Sequence, residues 1–100
     1  MSDPDFWLTP IGIPWCRKED YDAFVSIFED RRNLPTTWEG FAKAAEEAEQ
    51  LYEDKGHVVL RVNIDPRTFP RWCKSKGYSV DARARAQFAL HVTNPEADRG

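Results

Sequence analysis

Four side chains in this chain could serve a metal or thiol mechanism: Cys16, His57, Cys73 and His91. No two of them stand at the close spacing of a zinc site, such as C-x2-C or H-x3-H. The two cysteines are 57 residues apart and do not resemble a secreted disulfide framework. Cys73 follows Trp72 on the apolar side of a helical segment, which marks it as core rather than nucleophile. Cys16 lies in an extended stretch. It can meet His57 only if that stretch runs beside the strand His57 opens, and nothing in the spacing demands this. The chain has no G-x-S-x-G, no P-loop and no G-x-G-x-x-G. The sequence therefore points away from an enzyme: catalytic residues, metal ligands and cofactors are all read as none.

Charge is the second source of candidates. Residues 1–56 hold thirteen acids and six bases, whereas residues 57–100 hold eight bases and four acids. The halves thus carry −7 and +4, and the chain −3. Such a split suits a charged partner, or contact between the two halves. Arg67, Arg71 and Lys74 fall within about 60° of one another on a helical wheel. With Arg83 and Arg85, and with Lys76 nearby, they make a candidate basic binding face. Glu39, Glu46 and Glu53 recur every seven residues and make a candidate acidic ridge. This ridge could face the basic stripe within the monomer or across a dimer. Arg85 falls inside an apolar arc and needs a counter-charge, for which Asp81, one helical turn earlier, is the local choice, and a bound anion or a carboxylate across an interface the alternative.

These residues must be positioned by elements that periodicity predicts. Phe6 to Trp15 is extended, because Pro10, Gly12 and Pro14 forbid a helix, and Phe6–Thr9 is a candidate strand. A first helix is expected over about Glu19 to Arg32, with Tyr21, Phe24, Val25, Ile27 and Phe28 inward. Thr36-Thr37-Trp38-Glu39 reads as a capping box with Thr36 as the N-cap. The helix it opens runs to Lys55 and buries Trp38, Phe41, Ala42, Ala45, Ala48, Leu51 and Tyr52, with Gly56 after its end. His57 to Ile64 is the one confident strand. It needs a pairing partner, either the N-terminal segment or the same strand of a second subunit.

A third helix is expected to start at Asp65-Pro66 and end at Gly77, with a distortion at Pro70. A fourth spans about Asp81 to Val92 and turns Ala82, Ala86, Phe88, Ala89, Leu90 and Val92 inward. The last two helices invite a helix-turn-helix reading. Arg83 then stands where such a unit needs an apolar residue, and the acidic net charge opposes phosphate binding.

Two stretches carry a resemblance. One is Ile13-Pro14-Trp15, then Asp20-Tyr21-Asp22, then Leu34-Pro35-x-Thr37. The other is Asp65-Pro66-x-Thr68-Phe69-Pro70-x-Trp72-Cys73, continued by Asp81, Ala84-Arg85 and Phe88-Ala89. Together they resemble a group of small uncharacterised bacterial proteins. The resemblance implies a bacterial source, names no function and transfers no catalytic residue.

The expected protein is a single domain over residues 1–100, with frayed ends at 1–5 and 95–100. Its fold class is α+β and mostly helical, with two helical hairpins flanking one clear strand. With 41% apolar and 13% aromatic residues it can build a core without a metal or disulfide. The acidic opening residues carry no signal peptide and no apolar run reaches membrane length, so the expected compartment is the cytoplasm. The functional expectation is a small non-catalytic interaction or regulatory protein whose partner is another protein or itself, as a homodimer. Two alternatives are nucleic-acid binding through the basic C-terminal hairpin, and an acidic mimic of nucleic acid that blocks a basic protein.

Overall fold

The computed structural model describes residues 10–94. The candidate strand Phe6–Thr9 and the ends 1–5 and 95–100 lie outside them. The fold is α+β and mostly helical, as expected. Strand β1 (Ile11–Trp15) leads through helices α1 (Tyr21–Ser26) and α2 (Trp38–Asp54) to strand β2 (Val59–Asn63). Helices α3 (Phe69–Lys76) and α4 (Ala82–Thr93) follow. The strands form a two-stranded parallel sheet in which Ile11 pairs with Val59 and Trp15 with Asn63. A parallel pair needs a long crossover, which α1 and α2 supply. One edge of the 57–64 strand is thereby paired within the chain, by the N-terminal segment.

The alternation of side chains assigns a helix to each face of the sheet. Trp15 meets Trp38 and Phe41, so Ile11, Ile13 and Trp15 face α2. Gly12 faces α4, which approaches so closely that a Cβ there would stand 2.8 Å from the Ala89 carbonyl oxygen and 2.9 Å from Thr93 Cγ2. Between them runs a continuous aromatic core. Phe24 and Phe28 are 4.7 Å apart between ring centres, Phe28 and Phe69 5.7 Å, and Phe69 and Phe88 5.4 Å. Cys16, Tyr21, Phe41, Ile64, Cys73 and Ala84 complete the same cluster.

Several elements depart from their expected bounds. Helix α1 ends at Ser26, and Arg31–Asn33 is a separate 3-10 turn. Ser26 Oγ donates back to the Ala23 carbonyl at 2.7 Å, a bond that competes with helix propagation. Glu29 N–H donates to Val80 O at 2.8 Å, so tertiary partners take over the groups a longer helix would use. The N-cap of α2 is Thr37 rather than Thr36: its Oγ1 accepts from Gly40 N–H at 3.1 Å. Glu39 turns instead to Lys18, at 3.0 Å. Leu51, expected inward, is exposed.

Helix α3 begins at Phe69, three residues late, because this start puts Pro70 in the first turn, where its missing N–H is no loss. In α4 the buried residues are Ala84 and Ala89, while Ala82, Ala86, Leu90 and Val92 are exposed. The helix is rotated from its expected arc so that Ala89 and Thr93 ride over Gly12.

Candidate functional site

The thiols are structural. Cys16 and Cys73 have no exposed surface, and Cys16 Sγ lies 3.3 Å from the Arg17 carbonyl, to which it donates. Burial first, then the nearby Asp20 carboxylate, pushes the Cys16 thiol up to about 12. Burial raises Cys73 as well. A neutral, covered thiol is a poor nucleophile and a poor metal ligand. Nor is Cys16 near His57: they sit at opposite ends of the paired strands, on the order of 20 Å apart. His57 packs edge-on against Tyr52, and His91 lies tilted against Trp72. Among the described residues no three His, Cys, Asp or Glu side chains converge on a metal position.

The two charged faces are placed apart and treated differently. Glu39, Glu46 and Glu53 are all exposed along α2. The Lys18 ammonium holds the Glu39 carboxyl below its ordinary range, first through its hydrogen bond. On α2 the carboxylate that reaches a basic residue of the second half is Glu49, which was not in the predicted ridge. Its oxygens accept from Arg61 Nε and Nη2 at 2.8 and 2.9 Å, and this bond lowers its pKa. On the predicted basic face, Arg67 is bonded to Asp65 at 2.9 Å, while Arg71, Lys74 and Arg83 are exposed. Arg85 does not belong to that face. It is inward and bidentate to Asp30, with Nη1 and Nη2 donating at 3.0 and 2.9 Å, and it lies 4.5 Å above the Phe28 ring. Its partner is 55 residues away and not Asp81, whose carboxylate instead caps α4 by accepting from Ala84 N–H.

A different surface stands out in three dimensions. The hydrogen bonds Ile11 N–H to Val58 O and Ile64 N–H to Trp15 O fix which way each strand residue points. In a parallel pair this makes Leu60 and Val62 bond to β1, and turns the N–H and C=O of Val59, Arg61 and Asn63 to the outer edge. No backbone group among the described residues meets that edge. The outer edge of β1 is different: its outward residues are Gly12 and Pro14, and Pro14 has no N–H to offer.

Beside the open edge lie apolar side chains. Helix α4 lies chiefly over β1, so Val58 and Leu60, on the α4 side of β2, are left 57% and 47% exposed. Leu90 lies on the neighbouring surface and borders an open cavity of about 310 Å³ between Pro10–Gly12, His57 and the end of α4. Arg61, the one charged residue of β2, does not guard the edge. Its guanidinium folds back across the sheet, 4.1 Å from the centre of Trp15, and is held there by Glu49.

In sequence this edge is marked only indirectly: Pro14 inside β1 closes the outer edge of that strand and leaves β2 to carry the other. Comparison with protein-family models, curated proteins and solved structures yields no match.

Proposed function

We propose that this chain is a small non-catalytic interaction protein that works by presenting the β2 side of its domain to another polypeptide. One observation carries the reading: among the described residues nothing meets the outward main-chain donors and acceptors of β2, and Val58 and Leu60 are exposed beside them. Extended segments add to such an edge through main-chain hydrogen bonds, and alternate side chains supply selectivity. Proteins that do not use an edge blunt it with proline, an outward lysine, a bulge or a covering element. Here Pro14 blunts β1, and among the described residues β2 has no such device. The other charged faces support the reading less, because two of the five candidate cations, Arg67 and Arg85, are already engaged by Asp65 and Asp30.

A photo-crosslinking residue at position 60 tests this, with Arg83 as an exposed control position, in cells producing the full chain. Discrete polypeptide adducts from position 60 that are absent from position 83 are expected, and a Val58→Glu change should remove them. Absence of any polypeptide adduct at position 60 would overturn the reading.

A further inference from the structure

Resting on that reading, we infer that the occupant of the β2 edge is a second copy of this chain, paired antiparallel about a twofold axis at Leu60 to form one four-stranded sheet, β1-β2-β2-β1. A twofold axis needs only one self-complementary surface, and an edge strand is the simplest such surface. The hydrogen-bonding direction limits the registers. Val59, Arg61 and Asn63 point outward, so an axis at one of them is allowed as a hydrogen-bonded pair and an axis at 60 or 62 as a non-hydrogen-bonded pair. An axis at 59 or 63 runs its outer pairs onto His57, whose N–H already donates to Tyr52 O, or onto Asp65, whose C=O already accepts from Phe69 N–H, which leaves 60, 61 and 62.

Side chains choose among these. An axis at Arg61 sets Leu60 against Val62 and Val58 against Ile64, so each exposed apolar side chain meets one already buried within its own monomer. An axis at Val62 sets two side chains together that are already buried within the monomer, and leaves Val58 uncovered. An axis at Leu60 sets Leu60 against Leu60, Val58 against Val62 and Val59 against Arg61. It brings the exposed Val58 and Leu60 of both copies into one apolar strip and opposes no like charges. It also completes about four main-chain hydrogen bonds from the outward groups of Val59 and Arg61.

The fold has cleared the way for this contact. The Arg61 side chain leans inward over Trp15 and spends its charge on Glu49, so no long cation projects from the edge. Pro14 denies the same pairing to β1, so the sheet can extend from one side only and the assembly closes at two chains rather than growing.

The test uses the purified full chain and three measurements. Light scattering should give twice the 11.6 kDa chain mass at both low and high salt, because the contact is main-chain and apolar. A Leu60→Cys variant should cross-link to itself under oxidised glutathione. Non-hydrogen-bonded partners stand about 4.5 Å apart between Cα atoms, within disulfide reach, whereas an axis at residue 61 separates the two 60 positions beyond about 7 Å. The buried Cys16 and Cys73 keep the background low. A Val59→Pro variant removes an outward N–H and no bond to β1, so it should keep the far-UV circular dichroism of the parent and fall to the single-chain mass.

A chain that stays at 11.6 kDa at every concentration up to the millimolar range overturns the inference. So does a dimer that survives Val59→Pro and does not cross-link through position 60. If the pure chain is monomeric while position 60 still captures a different polypeptide in cells, the second-copy inference falls and the interaction reading stands. If neither occurs, both fall.

Discussion

Removing the charge of Asp30 should destabilise the fold by an amount set by the burial of its partner. Asp30 and Arg85 join the turn after α1 to α4, with both carboxylate oxygens accepting and side chains only 18% and 12% exposed. Asp30→Asn keeps the shape but leaves a covered guanidinium over the Phe28 ring without its counter-charge. Breaking a fully buried pair costs about 3–5 kcal/mol, whereas an exposed pair contributes about 0–1 kcal/mol. A pair covered to this degree should lie between, near about 2–3 kcal/mol. Against a total stability of about 5–15 kcal/mol that is a large fraction, and for a domain of this size it lowers Tm by roughly 10–20 °C.

Urea titration at pH 7, followed by near-ultraviolet circular dichroism of the core aromatics, measures the change. The pH dependence supplies a second check. The Arg85 hydrogen bonds hold the Asp30 carboxyl below its ordinary range. A carboxyl whose pKa is depressed by folding stabilises the fold above its unfolded pKa, and that contribution is lost as pH falls through the folded value. The gap between parent and Asp30→Asn should therefore be full at neutral pH and shrink below about pH 4. Replacing both partners together, Asp30→Leu with Arg85→Met, should recover much of the loss, because no charge is then left uncompensated. A loss under about 0.5 kcal/mol at pH 7, or a gap that does not narrow in acid, would refute the argument.

Gly12→Ala should cost about 1–3 kcal/mol, because the added methyl meets the Ala89 backbone as well as the Thr93 side chain, and the helix backbone cannot swing aside; an unchanged urea midpoint would mean that α4 does not ride so close to β1. Thr37→Ala should cost about 1 kcal/mol through the lost cap on Gly40 N–H, while Thr36→Ala should stay within about 0.5 kcal/mol, and equal losses in thermal melts would contradict the assigned cap. Both thiols should react with Ellman's reagent at pH 8 only after unfolding in urea, since they are covered and Cys16 titrates only near 12; prompt reaction of the native chain would contradict their burial.

Local pattern made much of this fold legible. The apolar periodicity of α2, the alternation of β2 and the Gly56 and Gly77 ends are properties of neighbouring residues, and they appear where the sequence places them. Where two local solutions were nearly equal, the choice fell to distant groups. Thr36 and Thr37 can both cap, and the selected cap accompanies a Glu39 drawn to Lys18. The helical periodicity around α1 continues to Arg32, yet Glu29 and Asp30 find better partners in Val80 and Arg85 and the helix stops at Ser26.

The candidate site was much less legible than the fold. The thiols, the acidic ridge and the basic stripe are visible in sequence as residue types, but their engagement is not. Asp81 is the near partner for Arg85 and Asp30 the true one, because 55 residues of chain are folded between them. Val58, Leu60, Val62 and Ile64 look alike as alternating apolar residues, and nothing local says that the first two are bare. That was decided when Gly12 let α4 settle over β1, leaving the early part of β2 uncovered. By itself the sequence determined the element types, the apolar stock of the core and a strand that must find a partner, because those follow from short-range periodicity and backbone chemistry. Only the tertiary structure decided which strand pairs, which charges are consumed and which edge stays open, because each depends on contacts between residues that the chain holds far apart.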